Sequence, residues 1–185
     1  MFLMNPRIET AYNGFLGIKR AFFSSLDMLR KDAPPSQVME YMERGDSVSV
    51  LVQQGKDFIV LKQFRIGNFI REDETSVYSN VAGMVDSGET ASEAAIRELK
   101  EELGVEPYYL EELGTYYPSA GGTTERMTFF FAEICEDAVP NPQEKEIHDW
   151  SKISEKEYRR LVTSGEMKSM QSVTAFLLAE EKWCF

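Results

Sequence analysis

The chain predicts a mixed α/β fold on three observations. Apolar or alternating runs of strand length recur before and after a single capped helix that opens at Ala91, and two further helical segments follow near the end. For 185 residues one domain, or one domain with an arm, is expected, and a composition 43% hydrophobic with 12 Phe and 8 Tyr suffices to build a core. The expected division is an N-terminal sheet over residues 1–44 and a main domain over residues 45–185. No internal repeat or low-complexity tract is apparent.

In chain order, FLGIKRAFF and VMEYMERG are apolar and aromatic runs separated by SSLDMLRKDAPPSQ, whose Pro34 and Pro35 break regular structure. They predict a small antiparallel sheet in front of the main domain. Ser47 to Gln53 and Asp57 to Gln63 flank Gln54-Gly55-Lys56 and read as a hairpin. Val77 to Met84 reads as one strand leading into the central helix. Thr90 followed by Glu93 is a capping-box pattern, so the helix runs from Ala91 through Leu103 and stops at Gly104. Tyr116-Tyr117 and Met127 to Ile134 suggest strands around the turn Ser119 to Gly122, and Ser154 to Thr163 and Ser169 to Glu180 read as helices.

On the central helix Glu98, Glu101 and Glu102 are spaced i, i+3 and i+4, which places three carboxylates on one face, while Ser92, Ile96, Leu99 and Leu103 fall on another that is available for the core. Three like charges repel one another, and a divalent cation reverses the sign of that interaction. Hard cations such as Mg2+ take carboxylate oxygen, keep several waters and are completed by substrate phosphates. Glu89, at the end of the preceding loop, either adds a ligand or holds Arg97 in place.

Composition excludes several alternatives. A net charge of −11 with 20 scattered basic residues offers no basic stripe for nucleic acid and no basic amphipathic helix for a membrane surface. No apolar run reaches transmembrane length and the start lacks a signal-peptide layout, so a cytoplasmic location is expected. His148 is the only histidine, so no multi-histidine metal site can form, and general-base work falls to a carboxylate or to metal-bound water. Cys135 and Cys184 read as one buried thiol and one loose terminal thiol rather than a disulfide.

The 23 residues GMVDSGETASEAAIRELKEELGV, Gly83 to Val105, resemble the Nudix box: Gly83, Glu89, Arg97, Glu98, Glu101, Glu102 and Gly104 meet every fixed position, with aliphatic Leu99 and Val105. The resemblance implies an α/β/α sandwich that hydrolyses a nucleoside diphosphate linked to another moiety with Mg2+, which Mn2+ can replace. It implies Glu98, Glu101 and Glu102, with the carbonyl of Ala82, as metal ligands, and places Arg97 and Glu101 in the catalytic set. KQFRIGNF, SAGGTTER and GEMKSMQSVTAFLL are similar to the ADP-ribose pyrophosphatase and nucleoside diphosphate sugar hydrolase branch. By that likeness Arg65 contacts the diphosphate or its neighbouring sugar, and Gly83, Gly121, Gly122 and Glu125 line the substrate. Glu144 or Glu146 supplies the general base, and the division of labour between them stays open. Ala120 stands where the branch usually has proline, and Met39 where some relatives have an arginine. Both departures bring GDP-mannose or UDP-glucose type substrates into contention beside ADP-ribose. A non-catalytic ADP-ribose sensor is the remaining alternative, and the complete box argues against it. The branch pairs as homodimers through the N-terminal sheet, and the aromatic-rich start, including Phe15, Phe22 and Phe23, suits such an exchange.

Overall fold

The structure, a computed structural model, describes residues 7–23, 37–72, 75–142 and 145–183. Contacts divide the chain into two compact units, one of residues 1–45 with 117–126 and one of residues 46–116 with 127–185. The segment carrying Pro34 and Pro35, and Cys184, lie outside the described residues.

The first unit holds a three-stranded antiparallel sheet in the order β1 (Arg7–Asn13), β2 (Gly17–Phe23), β3 (Gln37–Glu43). The expected N-terminal sheet is present, with an additional first strand. Every residue of β1 is exposed. The turn before residue 126 joins β3: the Met42 N–H donates to the Gly122 carbonyl at 2.8 Å, and the Thr124 N–H donates to that of Met42 at 3.1 Å.

The second unit is built on a seven-stranded mixed sheet. Its path runs β10 (Ile147–Ser154), β5 (Asp57–Gln63), β4 (Ser47–Gln54), β9 (Met127–Ile134), β8 (Tyr109–Tyr116), with β6 (Val77–Ser79) on β5 and β7 (Val81–Met84) on β4. The β4–β9 pair is parallel and the others antiparallel. The expected hairpin is β4 and β5, whose register pairs Gln54 with Asp57 and leaves a turn at Gly55, φ 64°. That left-handed conformation carries no Cβ penalty in glycine.

Each face of the sheet is covered. Val48, Val50 and Val52 of β4, with Ile59, Leu61 and Val81, pack on Ala94, Ala95, Leu99 and Leu103 of α2 (Ala91–Leu103). Leu51, Phe58, Val60, Phe129 and Phe131 point the other way, onto Tyr158 and Leu161 of α3 (Glu155–Ser164) and Ala175, Phe176 and Ala179 of α4 (Met170–Trp183). Alternation along a strand buried on both faces produces these two cores from one sequence. In the second core the Tyr158 and Phe176 rings stack at 4.4 Å with Phe58 edge-on to both. The result is a three-layer α/β/α sandwich.

Several expectations change. A short exposed helix, α1 (Ile66–Glu72), and strand β10 were not anticipated. The expected strand Val77 to Met84 is two, broken at Asn80 where the chain leaves β5 for β4. There the Asn80 N–H donates to Ser172 Oγ at 2.8 Å rather than to a strand, and its Oδ1 accepts from the Tyr158 hydroxyl at 2.7 Å. Cys135 is exposed, not buried, because β9 ends one residue earlier. Ile96 is 41% exposed and Ser92 is exposed. The core stripe of α2 is instead rotated onto Ala94, Ala95, Glu98, Leu99, Glu102 and Leu103, because the two alanines let the helix approach the sheet on that side.

Candidate functional site

α2 begins as its sequence requires. Thr90 Oγ1 accepts from the Glu93 N–H at 3.2 Å while Glu93 Oε2 accepts from the Thr90 N–H at 2.8 Å, and Gly104 closes the helix at φ 68°. The Thr90 N–H holds the Glu93 carboxyl below the usual carboxylate range. With its start fixed, the helix turns Glu98 and Glu102 inward, 6% and 3% exposed, and leaves the Glu101 side chain half exposed at the rim.

Arg97 organises this face. Its Nε and Nη2 fork onto the two Glu89 carboxylate oxygens at 3.0 and 3.1 Å, Nη1 donates to Glu98 Oε1 at 2.6 Å and Glu101 Oε2 at 2.8 Å, and Nη2 also reaches the Met84 carbonyl at 2.8 Å. The guanidinium, and then the Asp86 N–H, hold the Glu89 carboxyl below its ordinary range. Glu89 in turn leads the groups that push the guanidinium further above its ordinary value. Of the two roles open to Glu89, gripping Arg97 is the one this geometry contains.

Glu102 is held differently. Its Oε1 accepts from Gln63 Nε2 at 3.0 Å and its Oε2 from the Ala82 N–H at 3.2 Å. Gly83 lies against Glu98: a Cβ there falls 1.9 Å from Glu98 Oε1, so only glycine lets the carboxylate lie on the strand. Arg65 follows β5, and its Nη2 donates to Gln63 Oε1 at 2.6 Å. Glu146 comes to the same end of β5, since Ile147 is opposite Gln63 and the Glu146 carbonyl accepts from the Phe64 N–H at 2.9 Å. Its side chain is exposed. Glu144 lies outside the described residues.

Gly121, Gly122 and Glu125 belong to the first unit. Glu125 is buried and pairs with Arg44 Nε at 3.5 Å, and its N–H donates to Thr123 Oγ1 at 2.8 Å. A Cβ at Gly121 meets nothing within 4 Å, in contrast to Gly83. Sequence reasoning assigned no role to Gln63 or Arg44, although Gln63 stands inside the KQFR run.

The donor set fits a hard divalent cation. Arg97 pairs with Glu89, Glu98 and Glu101, and Glu102 lies one turn on from Glu98 on the same face, so four carboxylates border this face and two of them, Glu98 and Glu102, are buried. All donors are oxygen, as Mg2+ and Mn2+ prefer. Among the described residues no three such side chains converge in ligating geometry, because Arg97 draws Glu98 and Glu101 while Gln63 and Ala82 hold Glu102.

Comparison with known proteins agrees with this architecture. The chain is 29% identical over 152 residues to an ADP-ribose pyrophosphatase of Haemophilus influenzae, covering 80% of this chain and 67% of that protein. It is 31% identical over 120 residues to a GDP-mannose pyrophosphatase of Shigella flexneri serotype 5b, covering 62% of each, so the match spans about three-fifths of that relative's length. A solved structure described as an ADP compounds hydrolase superposes with a TM-score of 0.73 over 98% of this chain and 96% of its own, at 19% identity, and shares the fold. The NUDIX domain family matches residues 43–172, which contain the complete box and all seven strands of the larger sheet, and the chain belongs to that family.

Proposed function

We propose that the protein hydrolyses the diphosphate bond of a nucleoside diphosphate sugar, ADP-ribose foremost, to a nucleoside monophosphate and a sugar phosphate, with Mg2+ as the working ion and Mn2+ able to replace it. The observation that carries the reading is the pair of buried carboxylates, Glu98 and Glu102, on one helix face, joined to Arg65 through Gln63. Glu98, Glu101 and Glu102, with the Ala82 carbonyl, would hold the ion. A bound cation there offsets the charge of the diphosphate and lowers the pKa of the attacking water.

The chain's own groups supply the rest. Arg65 directs paired donors at phosphate oxygens, Arg97 keeps the carboxylates in register, and Glu146 or Glu144 accepts the proton of the attacking water. Water adds at one phosphorus, the bridging P–O bond breaks, and the leaving phosphate departs with that oxygen. Gly83 borders the substrate in the second unit, and in the first unit Gly121, Gly122 and Glu125 are the proposed substrate contacts, Glu125 accepting from a sugar hydroxyl.

A second reading keeps the reaction and exchanges the substrate for a GDP-mannose or UDP-glucose type sugar nucleotide. Met39, exposed on β3, and Ala120 favour it, as does the similarity to GDP-mannose pyrophosphatases. Assembly as a homodimer through the N-terminal sheet is supported by the edge strand β1, whose Ile8 and Tyr12 are exposed, and by the neighbouring Phe15, also fully exposed. Light scattering at micromolar concentration should return twice the chain mass; the mass of one chain would remove the homodimer. Among the described residues no helix is long and apolar enough to cross a membrane.

Phosphate release in the presence of a phosphatase, from ADP-ribose, GDP-mannose, UDP-glucose and NADH with and without Mg2+, tests the reaction. Magnesium-dependent turnover is expected, and its ranking assigns base and sugar. No turnover on any of the four, with thermal stabilisation by ADP-ribose, would replace the hydrolase with a sensor.

A further inference from the structure

One buried side chain outside the box touches both halves of the proposed chemistry. Gln63 closes β5 and is 1% exposed. Its Nε2 donates to Glu102 Oε1 at 3.0 Å, and its Oε1 accepts from Arg65 Nη2 at 2.6 Å and from Ser79 Oγ at 2.9 Å. The orientation of the amide follows from chemistry. A guanidinium only donates and an ionised carboxylate only accepts, so the carbonyl must face Arg65 and the NH2 must face Glu102. Reversing it would set N–H against N–H on one side and lone pairs against lone pairs on the other.

We infer that Gln63 is a positioning residue that fixes Glu102 and Arg65 in one register, so that the cation and the diphosphate are presented to each other correctly. The inference rests on the metal and diphosphate reading above. Its force comes from geometry: one buried amide reaches both Glu102 and Arg65, and the Ala82 N–H holds the second Glu102 oxygen at 3.2 Å, so the carboxylate and the guanidinium share one support.

Gln63 is itself held from behind. The Ser79 hydroxyl of β6 shares its one proton between Gln63 Oε1 and the Asn80 carbonyl, at 2.9 and 2.8 Å, and Asn80 is gripped by the Tyr158 hydroxyl and by Ser172 Oγ. Ser172 Oγ donates on to Ser169 Oγ at 2.9 Å. A line of hydrogen bonds therefore runs from the GEMKSMQS segment through Asn80, Ser79 and Gln63 to Glu102. This gives a physical role to a C-terminal motif that makes no contact with the box helix in this line.

The test measures Mn2+ affinity by electron paramagnetic resonance, the metal-free melting temperature, and kcat and KM for Gln63→Met, Gln63→Asn and Glu102→Gln. Gln63→Met keeps the length without the amide, and Gln63→Asn keeps the amide one methylene too short to bridge. Mn2+ affinity should fall about 10- to 100-fold in Gln63→Met, in the range of outer-sphere partners of metal ligands, with a raised KM as Arg65 loses its anchor. Gln63→Asn should move both in the same direction, and it carries the test if Gln63→Met does not fold. A merely structural glutamine would lower the metal-free melting temperature and leave Mn2+ affinity and KM unchanged. If Glu102→Gln loses Mn2+ while both Gln63 variants keep affinity and KM within twofold, the positioning role is overturned. If Glu102→Gln binds Mn2+ as tightly as the unaltered protein, the metal reading itself fails and takes this inference with it.

Discussion

Glu102 and Gly83 show how much of the site resides in single residues. Glu102 is buried with neutral donors on both oxygens, so Glu102→Gln keeps volume and most contacts while removing the charge. Turnover should fall by more than the roughly 100-fold that marks the upper range for residues behind a metal ligand, with a native circular dichroism spectrum. Near-full activity would refute the ligand assignment. Gly83→Ala acts by sterics alone, since the added Cβ falls on the Glu98 carboxylate that Arg97 already holds. Forcing that carboxylate aside should cost about 1–3 kcal/mol of stability and weaken the Mg2+-induced rise in melting temperature. A variant that melts and responds to Mg2+ as before would show that Glu98 yields freely. These residues were legible in the sequence because local rules place each of them: helix spacing, a cap, a glycine. Gln63 was not, because its role exists only where β5, β6, β7 and α2 meet.

Helix α2 tests the same logic at the scale of an element. Its capping box satisfies backbone donors in both directions, and Thr90→Ala removes the side-chain half of it. The expected loss is about 1 kcal/mol, read as a lower urea midpoint with an unchanged slope. An unchanged midpoint would mean that packing of Ala94, Ala95, Leu99 and Leu103, rather than the cap, sets the helix start. Elements with such signals were read to within a residue or two: α2, the β4–β5 hairpin and α3 with its Ser154 cap. Those without them were missed for a physical reason. β10 is an edge strand with one buried residue, Ile147, so IHDWSKIS carries no apolar alternation, and α1 has seven residues and none buried. The break at Asn80 is invisible in VYSNVAGM because the groups that claim its backbone N–H and side chain lie on α3 and α4.

Across the whole molecule, topology was the least legible level. The parallel pairing of β4 with β9 and the grouping of residues 117–126 with the N-terminal sheet depend on contacts far apart in sequence. Charge, by contrast, can be summed from composition, and it sets the acid response. Glu89 beside Arg97, Glu93 on the Thr90 N–H, Glu106 beside Lys100, Glu111 beside Lys182, and Glu157 and Glu166 beside Arg160 are all held below the ordinary carboxylate value of 4.5. A depressed folded value means that the unfolded chain binds more protons in that window. Stability from these groups is then complete above 4.5 and is lost as pH falls through their folded values. Between pH 7 and 5 the paired carboxylates stay ionised while the net charge of −11 begins to shrink, so no loss is expected there. Below 4.5 both effects turn unfavourable: the pairs are neutralised, and the 20 basic residues are left to repel one another. The urea midpoint should therefore hold from pH 7 to 5 and fall steadily toward pH 3. About 1 M NaCl should flatten that fall, because the pairs at Lys100 and Arg160 are exposed and screened. A midpoint that declined between pH 7 and 5, or that held at pH 3 in low salt, would show that other groups govern the acid stability of this fold.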